Sequence, residues 1–583
     1  MTDYFEVHAR DGAARIGELR LADSVPTPAL VDEVIQDAGS RWFADREHPG
    51  GDDAVVTMLP HRGFPIGTAD QVAEAFAVDY PDVDYPSGAV VDPRTAADYG
   101  CDVYALSTAS GIVGHASALR EAIVETRERI PADTALYCSG VATPANAALL
   151  AYVGVDLFDT HRAVVKGTQG FYLTHDGQHF LSDLVELPCA CPACETPVAD
   201  FTREDCVTHN IALLRAELTT VRERIRAGTL REYVEGQVRH DTWLTAALRE
   251  FDRQWSYLEE RTPLYRTARL LATTEDALHR VEIQRFAERV TSRYRNRFRN
   301  PLVLVPCSAT KPYGESPSHG QFHDAIQYRA HLVSMTSPIG VVPQELECTY
   351  PAQHYDAAVT GHWSDDEIGV VAEILARYLR RNEYPRVIAH VPDEGYRTVV
   401  ERAVADLEVP VEYTVEGHPT ADGSLVNLRQ TLDGELAYSR RERRQHTIRA
   451  IADYQFGDGA GEELFPDLET ESRYPKLRAH DAEGEQLAAM VPQYGTLSLT
   501  LAGAHRWIAS DVPEKRVEID AFVPHGDVLA PGIVDADDAI RIGDEVIVEG
   551  PKAFGVGRAA APGREMVEST RGIMVDVRHV EER

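Results

Sequence analysis

The sequence predicts an α/β protein of several domains, and three features of it carry that expectation. Over residues 1 to about 188, short apolar runs alternate with helical spacing, the βαβα rhythm of a parallel sheet, closed as a barrel or open. A fresh apolar run, Leu302 to Val305, begins a second alternation. Beyond about Arg516 the elements shorten to strands parted by glycine turns, as in a small β-barrel. A chain of 583 residues has room for three to five domains with real cores.

In the first alternation, Val55 to Leu59 and Asp102 to Leu106 read as strands. Leu119 to Ile130 has helical spacing, Thr134 to Tyr137 is a further strand and Pro144 to Tyr152 a helix. Gly154 to Asp159 reads as a buried strand ending in an acid. That places a carboxylate where barrel active sites lie, although a single Asp in this position more often caps a turn. Residues 210 to 300 read as mainly helical. They end in Arg285, Arg289, Arg293, Arg295, Arg297 and Arg299, interleaved with Phe286, Tyr294 and Phe298. This basic patch suits either phosphate contact or a solvated helix face beside a domain boundary.

The second alternation contains a strand within Ser334 to Val342 and an amphipathic helix from Asp365 to Arg381. A strand at Arg386 to Val391, a helix at Tyr396 to Leu407 and a strand at Val411 to Val415 follow. Residues 419 to 435 read as a linker. Arg440-Arg441-Glu442-Arg443-Arg444 then opens a helix that runs to Gln455, and Leu497 to Leu501 is a strand. Val517 to Val523, Ile540 to Val548 and Ile573 to Val577 are strands of the last part.

The formal net charge is -35, and only five of the 58 basic residues are lysine. Such a composition resembles that of proteins from salt-loving microbes, whose surfaces must stay hydrated. It would ordinarily argue against a nucleic-acid partner, but concentrated salt screens the repulsion within a few Å. RNA therefore stays open. The N-terminus has no signal-peptide pattern, no apolar run approaches the ~20 residues of a membrane span, and a cytoplasmic location is expected.

Cys189, Cys191 and Cys194 fall within six residues, and His209 lies fifteen beyond. Three thiolates and one imidazole make a closed tetrahedral shell, which points to structural zinc; Cys206 is a rival fourth ligand. His209 is expected to start a helix. No GxxxxGK[ST] run and no GxGxxG after a strand is present, so neither ATP nor a nicotinamide cofactor is indicated.

The stretch from Pro306 to His319 is the densest in chemistry. It leaves an apolar strand, and open α/β sheets bind ligands at that end. A thiol at Cys307 with Lys311 four residues on and His319 twelve on suits an activated nucleophile, because nearby cations favour the thiolate. The competing reading is a buried cysteine on a proline-rich turn. Glu347 to Pro351 and His354 to Asp356 form a second polar cluster that can face the Cys307 loop across the sheet.

With these residues placed, the chain resembles the archaeosine synthase family, paralogues of archaeal tRNA-guanine transglycosylases. The family signature P-C-x3-K-P-Y-x2-S-x2-H is met in full from Pro306 to His319. Phe5 to Leu30, Gly154 to Asp159 and the Cys189, Cys191, Cys194, His209 set resemble the transglycosylase part, and Gly526 to Val577 resembles a PUA RNA-binding barrel.

The resemblance implies a (β/α) barrel-like transglycosylase-related domain with the zinc site over 1–300 and an α/β catalytic core over 301–425. It further implies an α+β domain over 426–510 and a PUA β-barrel over 511–583. Asp159 matches the transglycosylase nucleophile position. The base-binding loop of those enzymes is missing, with Leu59 to Pro65 as its counterpart, so base exchange is expected to be lost.

The implied reaction adds an amine nitrogen to the nitrile of 7-cyano-7-deazaguanine in the D-arm of tRNA, giving an amidine. The donor is lysine, glutamine or ammonia, with a radical partner enzyme completing the product if it is lysine. A homodimer is implied by analogy with relatives. Cys307 is expected as nucleophile, and Lys311 as stabiliser of the thiolate or proton donor to the nitrile nitrogen. His319 is expected as a proton shuttle, Tyr313 and Ser316 as positioning groups, and Glu347 and Asp356 as weaker sites for the donor's ammonium.

Overall fold

The computed structural model describes residues 4–37, 50–59, 69–75, 80–107, 109–359 and 361–583. The chain forms two compact units. The first comprises Met1–Pro263 with Val528–Arg541 and Ala561–Met574; the second comprises Leu264–Asp527 with Ile542–Ala560 and Val575–Arg583.

The first unit opens with Phe5–Asp11 antiparallel to Ala14–Leu19, which pairs in turn with Val25–Thr27. Its main sheet has seven strands, all parallel. From edge to edge they are Ala29–Leu30, Leu157–Phe158, Ala135–Tyr137, Val103–Leu106, Ser87–Val91, Val56–Met58 and Ile35–Asp37. The two edge strands are joined by residues 31–34 alone. Laid flat, seven strands would hold those edges about 29 Å apart, whereas the connection from Leu30 to Ile35 reaches at most about 18 Å. The sheet must therefore curl, and the expected barrel-like form follows from chain length.

One buried ion pair ties the curl to the entry hairpin. Arg15, 2% exposed, donates from Nε to Asp156 Oδ1 at 3.0 Å and from Nη2 to Asp156 Oδ2. Asp156 also accepts from Leu136 N at 2.8 Å, and Arg15 reaches the carbonyls of Ala132 and Thr134. The rest of this unit is helical. Its longest helix, Arg203–Ala227, begins six residues before His209 rather than at it. The early start has a local cause: Thr202 and Asp205 form a capping box.

The second unit is built on a five-stranded sheet in the order Gly340–Pro343, His331–Thr336, Leu302–Pro306, Val387–Ala389, Val411–Tyr413. All neighbours are parallel except the first pair. Leu302 to Val305 are fully buried on both faces, as expected for an unbroken apolar run in a parallel sheet. Leu302 and Leu304 face a core that includes Val371 and Leu375 of the helix Asp365–Arg381. Val303 and Val305 face Phe322 and Ile326 of the helix Pro317–Ile326, together with Leu428 and Leu432.

Those last two leucines correct an expectation. Residues 419–435 are not a linker; Asp422–Thr431 is a helix that covers the sheet. Its apolar stripe is only Leu425, Leu428 and Leu432, easily lost among the Gly, Pro, Asp and Thr residues around it.

The basic patch is also resolved differently from both readings offered for it. Arg285 and Arg289 are 4% and 5% exposed, and the Arg289 guanidinium lies 5.3 Å from the Tyr454 ring centroid. Arg297 binds Asp453 at 2.7 Å and Glu462 at 2.5 Å, while Arg295 binds Asp458 at 2.5 Å. Arg295 and Arg297 thus fasten the segment after the helix Val281–Ser292 to the helix Arg440–Phe456 and the residues that follow it, while Arg289, on the first helix, packs on Tyr454 of the second.

A four-stranded antiparallel sheet over 469–499 follows, and the helix Leu501–Ile508 buries Trp507 completely. In the last part, Glu545–Gly550 lies parallel to Arg516–Ile519 and antiparallel to Ala553–Ala559, which pairs with residues 575–582. No helix among the described residues is long and apolar enough to cross a membrane.

Asp156→Ala leaves the Arg15 guanidinium buried without its carboxylate. Loss of one partner of a buried pair costs about 3–5 kcal/mol, so urea unfolding should show the first unit melting at markedly lower denaturant in this variant.

Candidate active site

The strand Leu302–Pro306 has its sequence successor on one side and Val387–Ala389 on the other. Strand order reverses there, and the crevice at the carboxyl ends is where open α/β sheets receive ligands. Cys307 sits at that point. Its N–H extends the ladder by one bond, to Met335 O at 3.1 Å, and the chain then leaves the sheet.

The crevice is a cavity of about 440 Å³ whose wall includes Cys307, Lys311, Asp356, Trp363, Glu367 and Tyr396. Tyr396 Oη lies 3.3 Å from Cys307 Sγ. It stands on a π-helical turn, Asp393–Arg397, of the kind that often marks functional sites. Gly395, at φ +76°, lets that turn pass Trp363; a Cβ there would come within 3.3 Å of the indole side chain. Burial, then the neighbouring thiol, push the Tyr396 phenol upward, so it stays protonated.

Lys311 Nζ lies 4.0 Å from the Tyr355 ring centroid. Burial lowers its pKa below that of an ordinary lysine, while Cys307 and Asp356 pull the other way. The Tyr355 hydroxyl is held between Thr336 Oγ1 and Tyr313 Oη, at 2.5 Å from each.

The structure therefore brings Cys307, Lys311 and Asp356 together. It adds Tyr396 and Trp363, which residue types along the signature did not reveal. The signal for Tyr396 was its place just beyond the carboxyl end of the neighbouring strand.

Other expected site residues lie behind the cavity wall. Tyr313 and Ser316 are buried, and their hydroxyls bond Tyr355 and Ser308, respectively. His319 is 1% exposed, stacks on Tyr313 and faces Pro306 O through Nε2 at 3.1 Å. A carbonyl only accepts, so Nε2 carries the proton. Burial lowers the pKa of His319 to about 4. It is thus a neutral brace under the loop, which departs from the expected shuttle of near-neutral pKa. Glu347 accepts from Gly314 N at 2.7 Å and lines a different cavity.

In the first unit, one ligand atom each from Cys189, Cys191, Cys194 and His209 all lie within 4.8 Å of one another. Cys191 Sγ is 3.5 Å from both Cys194 Sγ and His209 Nδ1, and Cys194 Sγ is 3.4 Å from Nδ1. A zinc tetrahedron has edges of about 3.6–3.8 Å, so this set can close on such an ion with little movement. His209 Nε2 donates to Leu173 O at 2.9 Å, which leaves Nδ1 bare toward the sulfurs. Cys206 instead donates to Phe171 O and stands outside the set.

Asp159 is 1% exposed. It accepts from Tyr137 Oη at 2.7 Å, Gly140 N at 3.0 Å and His161 N at 3.1 Å, with His161 Nδ1 3.0 Å away. In the counterpart of the missing base-binding loop, Pro60 to Pro65 lie outside the described residues.

Family models match four stretches of the chain. They are queuine tRNA-ribosyltransferase over 93–242, a domain of unknown function over 283–432, the patch-forming domain C2 of tRNA-guanine transglycosylase over 446–514 and a PUA domain over 515–580. Together they define a transglycosylase-related protein that carries an RNA-binding module, and the Cys307 cavity falls wholly within the second stretch.

The chain is 63% identical, over the whole of both proteins, to the archaeosine synthase of Haloferax volcanii. It is 41% identical, again over the whole of both, to the archaeosine synthase subunit alpha of Methanosarcina acetivorans. Identity to the tRNA-guanine(15) transglycosylase of Methanothermobacter thermautotrophicus is 27%, covering 79% of this chain and 68% of that one. The chain belongs to the archaeosine synthase family, and is an enzyme of tRNA modification in archaeosine biosynthesis.

Metal analysis of the purified protein should find about one equivalent of zinc. Cys191→Ser and His209→Ala should lose it, whereas Cys206→Ser should retain it.

The buried His319 gives a second expectation. Its folded pKa of about 4 lies below the ordinary 6.5, so the unfolded chain binds more protons. The stabilisation is full above pH 6.5 and is lost as pH falls toward 4. Denaturant midpoints of the wild type should drop through that window, and His319→Gln should flatten the slope.

Proposed function

We propose that the Cys307 cavity converts the nitrile of a 7-cyano-7-deazaguanine base in tRNA into an amidine, using nitrogen from an amine donor. The carrying observation is a thiol at the switch point of the sheet, flanked by a protonated phenol and a lysine, in a cavity large enough for a base. The tilted pair Trp363 and Tyr396, with ring centroids 4.5 Å apart, offers a face for the base to stack on.

A nitrile carbon is electrophilic. The Cys307 thiolate adds to it, forming a C–S bond while the π electrons move to nitrogen. Tyr396 or Lys311 protonates that nitrogen, and the product is a thioimidate. The donor amine then attacks the same carbon, passes a proton to the base formed in the first step and expels the thiolate, leaving the amidine. Two moderate barriers replace one high one.

On this reading His319, Tyr313 and Ser316 hold the loop and do not touch substrate. Asp356 is the group placed to meet a cationic donor; its 3.6 Å contact with Arg269 is exposed and easily exchanged. The candidate donors remain lysine, glutamine and ammonia, with a radical partner enzyme completing the product if it is lysine. Zinc at the Cys3His set is structural, since its first shell is closed. The sealing of Asp159 by three hydrogen-bond donors argues against its use in base exchange.

The test is nucleoside mass spectrometry of tRNA carrying 7-cyano-7-deazaguanine, after incubation with each donor. Cys307→Ala should abolish the amidine, Tyr396→Phe should slow it by about 10²-fold, and Asp159→Asn should leave it intact. Full conversion by Cys307→Ser would end the covalent scheme. Base incorporation into unmodified tRNA that depends on Asp159 would replace the reading altogether.

A further inference from the structure

Lys311 reaches the Cys307 cavity without a carboxylate in contact. Among the described residues its ammonium forms no hydrogen bond and no ion pair. It faces the ring of Tyr355 instead, with Nζ 4.0 Å from the centroid. Lys515 shows the commoner arrangement, an ion pair with Asp544 at 2.5 Å. Charged and ionisable groups do act on Lys311 from further off. Burial is the largest influence and opposes its charge; Cys307 and Asp356 favour that charge, and Arg269 opposes it. Asp356 and Arg269 are exposed and 3.6 Å from each other, so their fields at Lys311 oppose and are screened.

The ring is fixed from behind. Tyr355 is 2% exposed and stands on the strand Tyr355–Ala357, parallel to Leu270–Ala272. Its hydroxyl lies 2.5 Å from both Thr336 Oγ1 and Tyr313 Oη. Thr336 ends a strand of the five-stranded sheet, and Tyr313 stacks on His319 with ring centroids 4.9 Å apart. Both ends of the phenol are thus engaged, the hydroxyl with inner partners and the ring face with the ammonium. Where that face is presented is set by the sheet and by the buried half of the signature.

An aromatic face attracts a cation by about 0.5–2 kcal/mol while carrying no charge of its own. A carboxylate at the same place would hold the proton of Lys311 firmly and would repel a thiolate at Cys307. The ring does neither. It keeps the ammonium at the cavity, while burial eases loss of the proton.

We propose that Tyr355 is a positioning residue for the reaction: its ring face holds the Lys311 ammonium at the Cys307 cavity, and Tyr313 and His319 act through it. The proposal rests on the reading above and deepens it, because it gives the buried residues of the signature one shared task.

The experiment places fluorinated tyrosines at position 355 of the full-length protein. Fluorine drains charge from the ring face and keeps the ring and its hydroxyl, so a merely structural role would not respond. Two rates are read. One is alkylation of Cys307 by iodoacetamide, followed on its own peptide by mass spectrometry; the other is amidine formation on tRNA carrying 7-cyano-7-deazaguanine. Both should fall stepwise from tyrosine through 3-fluorotyrosine to 3,5-difluorotyrosine, by about threefold in all, with KM for tRNA unchanged. The alkaline limb of amidine formation should move to lower pH, since a weaker ring favours the uncharged lysine. Tyr355→Phe should keep most of both rates and Tyr355→Leu should lose at least tenfold. Adding Tyr355→Leu to Lys311→Met should cost nothing further. If thermal melts show that Tyr355→Leu does not fold, the fluorinated series decides alone. The proposal fails if alkylation is indifferent to fluorine, or if an amidine-forming enzyme keeps its rate through the series. It also fails if the Leu and Met losses multiply. Graded alkylation in a protein that makes no amidine would sink the nitrile reading and leave the role of Tyr355 standing.

Discussion

Burial of the strand Leu302–Pro306 on both faces is the constraint on which the second unit turns. Four consecutive residues with no solvent contact leave no freedom of register, because a slip by one residue would send Leu304 and Val305 to the wrong cores. The strand's end is therefore fixed, and with it the position of Cys307. Part of the wall beside the thiol comes from the same sheet, Thr336 and Ser337 at the end of one neighbour and Tyr396 just past the end of the other, while Tyr355 and Asp356 come from a strand paired with Leu270–Ala272. Such pre-organisation suits a group whose reactivity depends on who stands within a few Å.

The signature loop is held as firmly as the strand, though by polar contacts. Tyr313 bonds Tyr355, Gly314 bonds Glu347, Ser316 bonds Ser308, and His319 bonds Pro306. Four successive anchors explain why residues that look reactive in sequence are turned inward. A buried polar network is stable only when each member is satisfied. These side chains satisfy one another and the backbone, leaving Cys307 and Lys311 to face the cavity.

Much of the fold was legible because local periodicity and tertiary role agreed. The helix Asp365–Arg381 and the fully apolar strand Leu302–Val305 advertise themselves by spacing. The helix Asp422–Thr431 did not, since three leucines are too few to outweigh the turn residues around them. In the candidate site, Cys307, Lys311 and the Cys3His set were visible as spacings along the chain. Tyr396 and Trp363 were not, because their relation to Cys307 exists only across neighbouring strands. The inward turn of His319 was hidden too: residue type states what a side chain can do, and only burial states whether it is free to do it. The arginine patch misled in the same way, as its carboxylate partners lie some 160 residues further on.

The hydrogen bonds of Asp159 have a structural consequence. An acid held by a phenol and two backbone amides bolts the turn at Gly140 to the helix that starts at His161. Hydrogen bonds to a charged group contribute about 1.5–3 kcal/mol each. Removing the acid would loosen the turn and the helix it joins, whatever its chemistry, so selection for folding alone is enough to preserve it. A group that works as a fastener persists on structural grounds, because every substitution of it runs through a less stable protein.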